Sequence, residues 1–597
     1  MLFTSVEPFL LNRLVVLIIL TVVLGEVGFL LLVSIFPQAL RSDPFEILSV
    51  SFSLGVASIV MVMGGMSAIN LSFSKITLVF LAFIFISVYV GFRAIFRGRT
   101  NFLRGNQIDF SGIRFFLLFF LFLLIVRGGQ TCNIFVPNWV DGLTHTMRLQ
   151  KFVLRDFIPF DRVYPSGFYS LAFTFYRFGM GTLPETVLVS GQWLAAVSAI
   201  NMYSLAKRYL GHSLWGYLSV FVYSFCLLFP SHLLAWGRYP FLLGLVLVPP
   251  SILTTLDWLS GYEKNYAVAF VFVVALALSH YGAFLIWLSF VFVYLALEGR
   301  LTAGHRRPWL RMFLLILPLF LVFIPRVANL LDNPAMFANM IDRSGALEFD
   351  DDIWTVVNLV WGHDIFFIGT WAAGIVLSFL RKEKLFFILV PWPLLFYLLT
   401  WIQYVLLGFS VTSYINLVVF ISIPMAFSFG YVAQQVDSLL DRLAAYRSLK
   451  SGIMKNRLPP SLLVLFVCVF GVFLSFRDFN ADTVLFNADD AVAMAWLENN
   501  TPKDTVILIN SFIWGDKLMP SDGGGWINLL TGRQIIYPDI GEFYDMCEFI
   551  NRNKVGYIYL GKSPSNGFFD LKLDDFFGLY KVVYETRNVT IASVSCP

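Results

Sequence analysis

Time after time this sequence runs for about twenty residues with scarcely a charge, the length that carries an α-helix across the hydrocarbon of a bilayer. About fourteen such segments can be marked, the first at 14–36 and the last at 461–476. Backbone N–H and C=O groups find no water inside a bilayer, so such a chain must cross as helices that satisfy their own hydrogen bonds. Composition agrees. Of 597 residues, 58% are hydrophobic and 13% charged, and Phe occurs 64 times, whereas a soluble protein carries about 25% charged residues. A cytosolic enzyme, a disordered scaffold and a basic-patch nucleic-acid binder are excluded, so no nucleic acid is expected as a partner. What remains is an α-helical polytopic membrane protein, in contact with membrane lipids.

Charge then divides the chain. The tail 477–597 holds 10 Lys+Arg against 16 Asp+Glu, net −6, while the 476 residues before it are net +10. This organisation has three parts: N-terminal transmembrane helices and a basic loop at 1–112, a transmembrane core at 113–476 with a large loop at 128–165, and a water-soluble domain at 477–597. Lys and Arg collect in alternate short loops, among them Arg93, Arg97, Arg99 and Arg104, then Lys207 and Arg208, then Arg381, Lys382 and Lys384. The positive-inside rule makes those loops cytoplasmic. The loop at 128–165, the turn at 230–238, the acidic run around Asp350 and Asp351, and the whole tail then share the outer face. The expected location is the plasma membrane, multi-pass, with an extracytoplasmic C-terminal domain.

The tail reads as a small α/β domain. Asp489 is placed to cap a helix at 490–498, and strands are expected at 505–509, 534–537, 555–560, 580–584 and 590–594. Gly523-Gly524-Gly525 reads as a permissive turn. Two of the five cysteines, Cys547 and Cys596, fall in this tail; a disulfide and two buried thiols are both open.

No Walker phosphate loop, strand-linked GxGxxG, GxSxG elbow or HExxH occurs, so nucleotide-driven pumping, nucleotide-cofactor redox, serine hydrolysis and zinc proteolysis lose their usual signatures. The loop at 128–165 is different. In Trp139-Val140-Asp141-Gly142-Leu143-Thr144-His145-Thr146-Met147-Arg148, a helix puts Asp141, His145 and Arg148 at i, i+4 and i+7, on one face. A carboxylate, an imidazole and a guanidinium facing one cleft suit phosphate or metal binding and proton transfer. An interfacial amphipathic helix with a capping Asp and a snorkelling Arg would use the same residues. Further polar groups sit at helix ends on the same face: Ser231-His232, Trp236-Gly237-Arg238, His280, Arg326 and His363-Asp364. Arginine at such depth is costly and suits a grip on a lipid-linked phosphate.

An acidic motif in the first large outer loop, the return through Tyr164-Pro165-Ser166-Gly167, many further helices and a soluble C-terminal domain together resemble the GT-C glycosyltransferases, from about Gly112 onward. The resemblance implies a GT-C-like fold and a hexosyl- or pentosyltransferase using a polyprenyl-phosphate-linked sugar donor and an extracytoplasmic glycan, lipid or protein acceptor. It makes Asp141 the loop acid, a general base or metal ligand; with it, His145 is the expected catalytic partner, and Arg148, His232, Arg238, His280 and Arg326, from their place on the outer face, are the groups expected to bind substrate or lipid phosphate. The cofactor is either a divalent cation, Mg or Mn, held by Asp141 and His145, or none. The tail is similar in element order to that of the oligosaccharyltransferase catalytic subunit, but where that family carries Trp-Trp-Asp-Tyr-Gly this chain has Trp514-Gly515-Asp516-Lys517. Two other classes stay open. A transporter or flippase predicts mid-helix polar residues and an inverted repeat; Glu26 is the clearest mid-helix charge, and no repeat is visible. A surface-assembly protein with a degenerate site needs no chemistry at all.

Overall fold

The computed structural model of the chain describes residues 7–35, 44–75, 89, 110–159, 164–179, 181–211, 213–262, 265–301, 307–332, 351–407, 414–447, 460–477, 481–514, 517–538, 546–562, 571–576 and 578–596. Among these, seven helices are long and apolar enough to cross a membrane: Glu46–Ala68, Leu183–Leu210, Leu214–Ala235, Tyr239–Leu259, Val360–Leu380, Leu385–Ile402 and Asn416–Leu443. Pro308–Phe320 and Val322–Asn329 pass together as one span bent by 46°. Their helix carries Pro318 and Pro325, each of which removes a rung of the hydrogen-bond ladder. Five shorter apolar helices accompany them. The expected total of about fourteen crossings is not reached by length and composition among the described residues, and the segment expected at 76–95 lies almost wholly outside them.

Apolar faces gain little by leaving lipid for protein, so close packing and buried polar contacts hold such helices together. Asn201 is fully buried. It accepts from Ser49 Oγ at 2.7 Å and donates to Ser53 Oγ at 2.7 Å and Val246 O at 2.6 Å, tying together helices Pro44–Ala68, Leu183–Leu210 and Tyr239–Leu259. At one end of the last two helices Arg208 pairs with Asp257 at 2.8 Å, with Glu46 at 3.9 Å. The loop helix Trp139–Arg155 sits at their opposite end, matching the alternation of basic and acidic loops.

The span Leu214–Ala235 is broken. Ser213–Phe221 is α-helical, Val222–Cys226 is wound as a π-turn, and Leu227 (ψ 148°) and Phe229 (ψ 138°) are extended. Backbone groups freed by a break must find partners. Arg127, buried at the end of helix Phe110–Gln130, donates to Ser224 O and to Ser231 Oγ. Asp364 accepts the Leu228 N–H at 3.3 Å and pairs with His363 at 2.5 Å. The His363-Asp364 pair therefore braces the break.

The tail contains β1 (Val506–Ile509), β2 (Ser511–Trp514), β3 (Lys517–Pro520), β4 (Gln534–Ile536), β5 (Val555–Leu560), β6 (Tyr580–Glu585) and β7 (Thr590–Val594). A five-stranded sheet runs in the order β4-β1-β5-β7-β6, parallel through the first three and antiparallel through the last two pairs. The parallel pairs need crossover connections, and helices Ile527–Thr531 and Met546–Asn553 lie within them. The five expected strands are all present. The β2–β3 hairpin was not expected, because its strands are only four residues each and carry no clean alternation. Asn487, rather than Asp489, caps helix Ala488–Asn500: its Oδ1 accepts the Asp489 and Asp490 amides at 2.8 and 3.3 Å. A cap must precede the amides it satisfies. Cys547 and Cys596 form a disulfide with Cα atoms 5.5 Å apart.

Asp490 is fully buried and accepts hydrogen bonds from the Asn487 N–H at 2.7 Å and from the Tyr559 hydroxyl at 2.5 Å. Burial pushes its carboxyl up to about 7. The folded tail therefore keeps the carboxyl proton of Asp490 at pH values where the unfolded chain has released it. Its stability should fall as pH rises from about 4 to about 7 and then level off, by at most about 4 kcal/mol. Asp490→Asn should flatten this slope, while Asp490→Ala should destabilise the tail at every pH. Hydrogen exchange of the tail amides in the full-length protein at pH 4.5 and 7.5 measures both.

Candidate functional site

The loop helix Trp139–Arg155 is buried on two sides. On one, Val140, Leu143 and the preceding Val136 enter cores shared with tail residues Leu485, Phe486, Phe512 and Trp526. Trp139 packs on Phe512 with ring centroids 5.6 Å apart. On the other, Leu149 and Phe152 enter the membrane-body core, and Phe152 meets Tyr169 edge to face at 5.3 Å. The loop and the tail thus lie on the same side of the helical body. Between the two apolar faces runs a polar stripe that includes Asp141 and Arg148.

The helix begins in a constrained way. Asn138 is extended and Trp139 takes φ +59°, a left-handed conformation costly for a bulky residue. The turn at Gly237, φ +68°, closes against it: a Cβ there would lie 2.6 Å from Gly142 N and 2.8 Å from Asn138 O. Only glycine suits both the dihedral and the contact. This seating places Arg238, the next residue, over the start of the loop helix.

Asp141 Oδ2 faces Arg238 Nε at 3.6 Å. The Asp141 side chain keeps 39% of its surface exposed, so the pair is open to a ligand from outside. Burial of its other side raises the carboxyl above the usual range, with Arg238 and Arg148 pulling it back down. Arg148 lies over the Tyr164 ring at 4.7 Å and donates to the Tyr169 hydroxyl at 3.3 Å. His145 Nδ1 meets the same hydroxyl at 2.8 Å. Burial, then the charges of Arg148 and Arg238, hold His145 down to about 3, so it is neutral at physiological pH. His280 lies within electrostatic reach of both His145 and Arg238.

Asp141, His145, Arg148, Arg238 and His280 are therefore brought together. His232 packs edge-on against Trp236 at 5.4 Å and Phe229 at 6.0 Å, and Trp236 in turn carries the Arg238 guanidinium at 5.7 Å. Arg326 is buried and lies within electrostatic reach of Tyr281, the neighbour of His280. Tyr169 and Gly237 carry the geometry of the site without having stood out in the sequence; a Tyr on an apolar helix and a Gly in a turn have too many structural uses. The donor set does not fit a divalent cation. Its carboxylate, Asp141, is flanked by two guanidiniums, His145 Nδ1 faces the Tyr169 hydroxyl, and among the described residues no three His, Cys, Asp or Glu side chains are arranged to hold a metal ion. Two guanidiniums and neutral imidazoles suit an anion instead.

No protein-family model matches the chain, and no curated protein does. Among solved structures, it is similar to ArnT from Cupriavidus metallidurans bound to undecaprenyl phosphate, with a TM-score of 0.46 and 10% sequence identity, over 80% of this chain and 98% of that one.

Gly237→Ala should loosen the docking of the loop helix. The left-handed φ alone costs about 1–3 kcal/mol, and the Cβ contact adds to it. Limited proteolysis of the loop in detergent-solubilised protein should accelerate at least tenfold, whereas Gly128→Ala, with open space around its Cα, should leave the rate unchanged.

Proposed function

We propose that the protein is a membrane glycosyltransferase that moves a sugar from a polyprenyl-phosphate-linked donor to an acceptor hydroxyl at the outer membrane surface. One observation carries the reading: a partly exposed carboxylate with a raised affinity for protons, Asp141, lies beside two guanidiniums where the helical body meets a soluble domain. Each half of that site answers one half of the reaction. The acceptor oxygen attacks the anomeric carbon and its proton passes to Asp141. The bond from that carbon to the phosphate oxygen breaks, and its electrons remain on the phosphate, which Arg238 and Arg148 neutralise. A carboxyl raised by burial is a stronger base than a solvated one. Charge developing on the leaving phosphate meets donors already in place. No metal is needed for either role.

The outer side is supported by the basic loops at the opposite end of the helices and by the Cys547–Cys596 disulfide, a bond that persists in oxidising compartments. Gly515 and Asp516, which stand where the oligosaccharyltransferase tail carries its Trp-Trp-Asp-Tyr-Gly motif, lie outside the described residues. Trp514 and Lys517 on either side of them pair across the β2–β3 hairpin, and the acceptor class stays glycan, lipid or protein.

Asp141→Asn keeps the shape and removes the base. Transfer from a synthetic polyprenyl-phosphate sugar by the purified variant should fall about 10²–10⁴-fold with the thermal transition of the protein unchanged. Arg238→Ala should chiefly raise the apparent donor KM, since it removes phosphate grip in ground and transition states alike. Undiminished turnover by Asp141→Asn would overturn the assignment.

A further inference from the structure

The return Tyr164-Pro165-Ser166-Gly167 has no part in the chemistry set out so far, yet it touches the site at both ends. Gly167 seats it: a Cβ there would lie 2.6 Å from Ser279 Oγ and 3.1 Å from Leu278 O, at the end of helix Tyr266–Ser279 and next to His280. Pro165 biases the residue before it toward extended backbone, and Pro165 and Ser166 are buried. At the other end the half-buried Tyr164 presents its ring to Arg148, whose guanidinium carbon lies 4.7 Å from the ring centroid.

How Arg148 is held matters because of what else it could touch. Long side chains on a helix lean toward its N-terminus, so Arg148 reaches back toward Asp141, and the two are within electrostatic reach. Opposite charges on one helix face attract. Among the described residues, however, Asp141 is ion-paired with Arg238 and not with Arg148. Arg148 lies instead over Tyr164 and gives an N–H to the Tyr169 hydroxyl at 3.3 Å. A guanidinium packs well on an aromatic face, and its five N–H donors leave several for a ligand. Burial raises the Tyr164 hydroxyl above its usual range, so the ring is neutral and the contact is that of a cation with a π-face.

From this arrangement we infer that Tyr164 is a positioning residue: its ring holds the Arg148 guanidinium off Asp141, so that Arg148 keeps donors for a phosphate and Asp141 keeps its capacity to accept a proton. The inference rests on the proposed division of the site into a base and a phosphate grip. It also separates the two arginines. Arg238, from the turn after the broken span, is shared with the carboxylate at 3.6 Å, whereas Arg148 is reserved for the phosphate. Among the described residues, the charged and titratable groups that face Asp141 are these two arginines, Tyr164 and, one turn on, the neutral His145. Loss of the ring therefore has one expected result. Arg148 settles nearer the carboxylate, lowers its proton affinity and is withdrawn from the phosphate.

Full-length protein in nanodiscs tests this without turnover. The infrared band of the protonated carboxyl, assigned to Asp141 by its loss in Asp141→Asn, is followed against pH. Tyr164→Leu should lower the Asp141 midpoint by about one pH unit, the effect of an opposite charge drawn close, and Tyr164→Phe should leave it in place. Arg148→Ala should raise the midpoint, and in that background Tyr164→Leu should have no further effect. Fluorinated phenylalanines at position 164 weaken the negative face of the ring at nearly constant shape, which guards against a folding defect in the Leu variant. The midpoint should fall stepwise as fluorines are added. A midpoint that ignores the fluorines, or a drop of the same size without Arg148, would overturn the inference. A second arm uses a polyprenyl monophosphate as probe. Tyr164→Phe should bind it within about threefold of the unmutated chain and Tyr164→Leu about tenfold more weakly, the scale of a desolvated cation–π contact. Equal binding by the Phe and Leu variants would also overturn it. If both arms turn out as stated but no sugar is transferred, the glycosyltransferase reading fails and this one stands.

Discussion

Everything at the candidate site hangs on one helix being held from two sides. Trp139–Arg155 is too polar to stand alone in lipid, and most of a helix's stability in a protein comes from tertiary packing of its apolar face. Its order comes from tertiary burial: Leu143 and Val140 go to the tail, Leu149 and Phe152 to the membrane body. The chemistry occupies what is left between those faces. A carboxylate presented from such a helix cannot drift, because moving it means breaking one apolar core or the other. That rigidity is what electrostatic catalysis requires, since donors that must reorganise during reaction lose their advantage.

The second support is the broken span. A continuous helix from Ser213 would carry its residues straight through the outer surface. The π-turn at Val222–Cys226 and the extended Leu227 and Phe229 instead fold the chain back so that Trp236, Gly237 and Arg238 lie across the start of the loop helix. The cost of opening backbone groups inside the membrane is offset by Arg127 and Asp364, a buried base and a buried acid each bonded to main chain. Ionisable residues at membrane depth usually mark function. Here some act at one remove, by holding an irregular turn that carries the residue in the cleft.

Much of this was legible in the sequence. The membrane body followed from runs without charge, and the tail from its reversed charge. All five strands of the main sheet followed from short β-branched and aromatic runs. Asp141, His145 and Arg148 followed from helical spacing alone, because a period of 3.6 residues decides which side chains share a face. The parts that were not legible depend on contacts between distant segments. Nothing local in Leu214–Ala235 announces a π-turn, and its apolar run reads as one straight crossing. Tyr169 looks like any tyrosine in an apolar helix until Arg148 and His145 are seen on its oxygen. The cap at Asn487 instead of Asp489 is a smaller case: two good caps stood near one another, and only the hydrogen bonds distinguish them. His232 was grouped with the other outer-face histidines by position, yet position along the membrane normal says nothing of direction, and its ring turns into Phe229 and Trp236.

The double burial of the loop helix also sets how the protein ages. Local opening proceeds through the least stable cooperative unit, and the tail is a five-stranded sheet with one disulfide beside a far larger helical body. When the tail loosens, one of the two walls around Asp141 goes with it, although the helices in the bilayer remain intact. Lifetime of the site is then a property of the smallest part of the molecule, and preparations that look folded by their helix content can already have lost it.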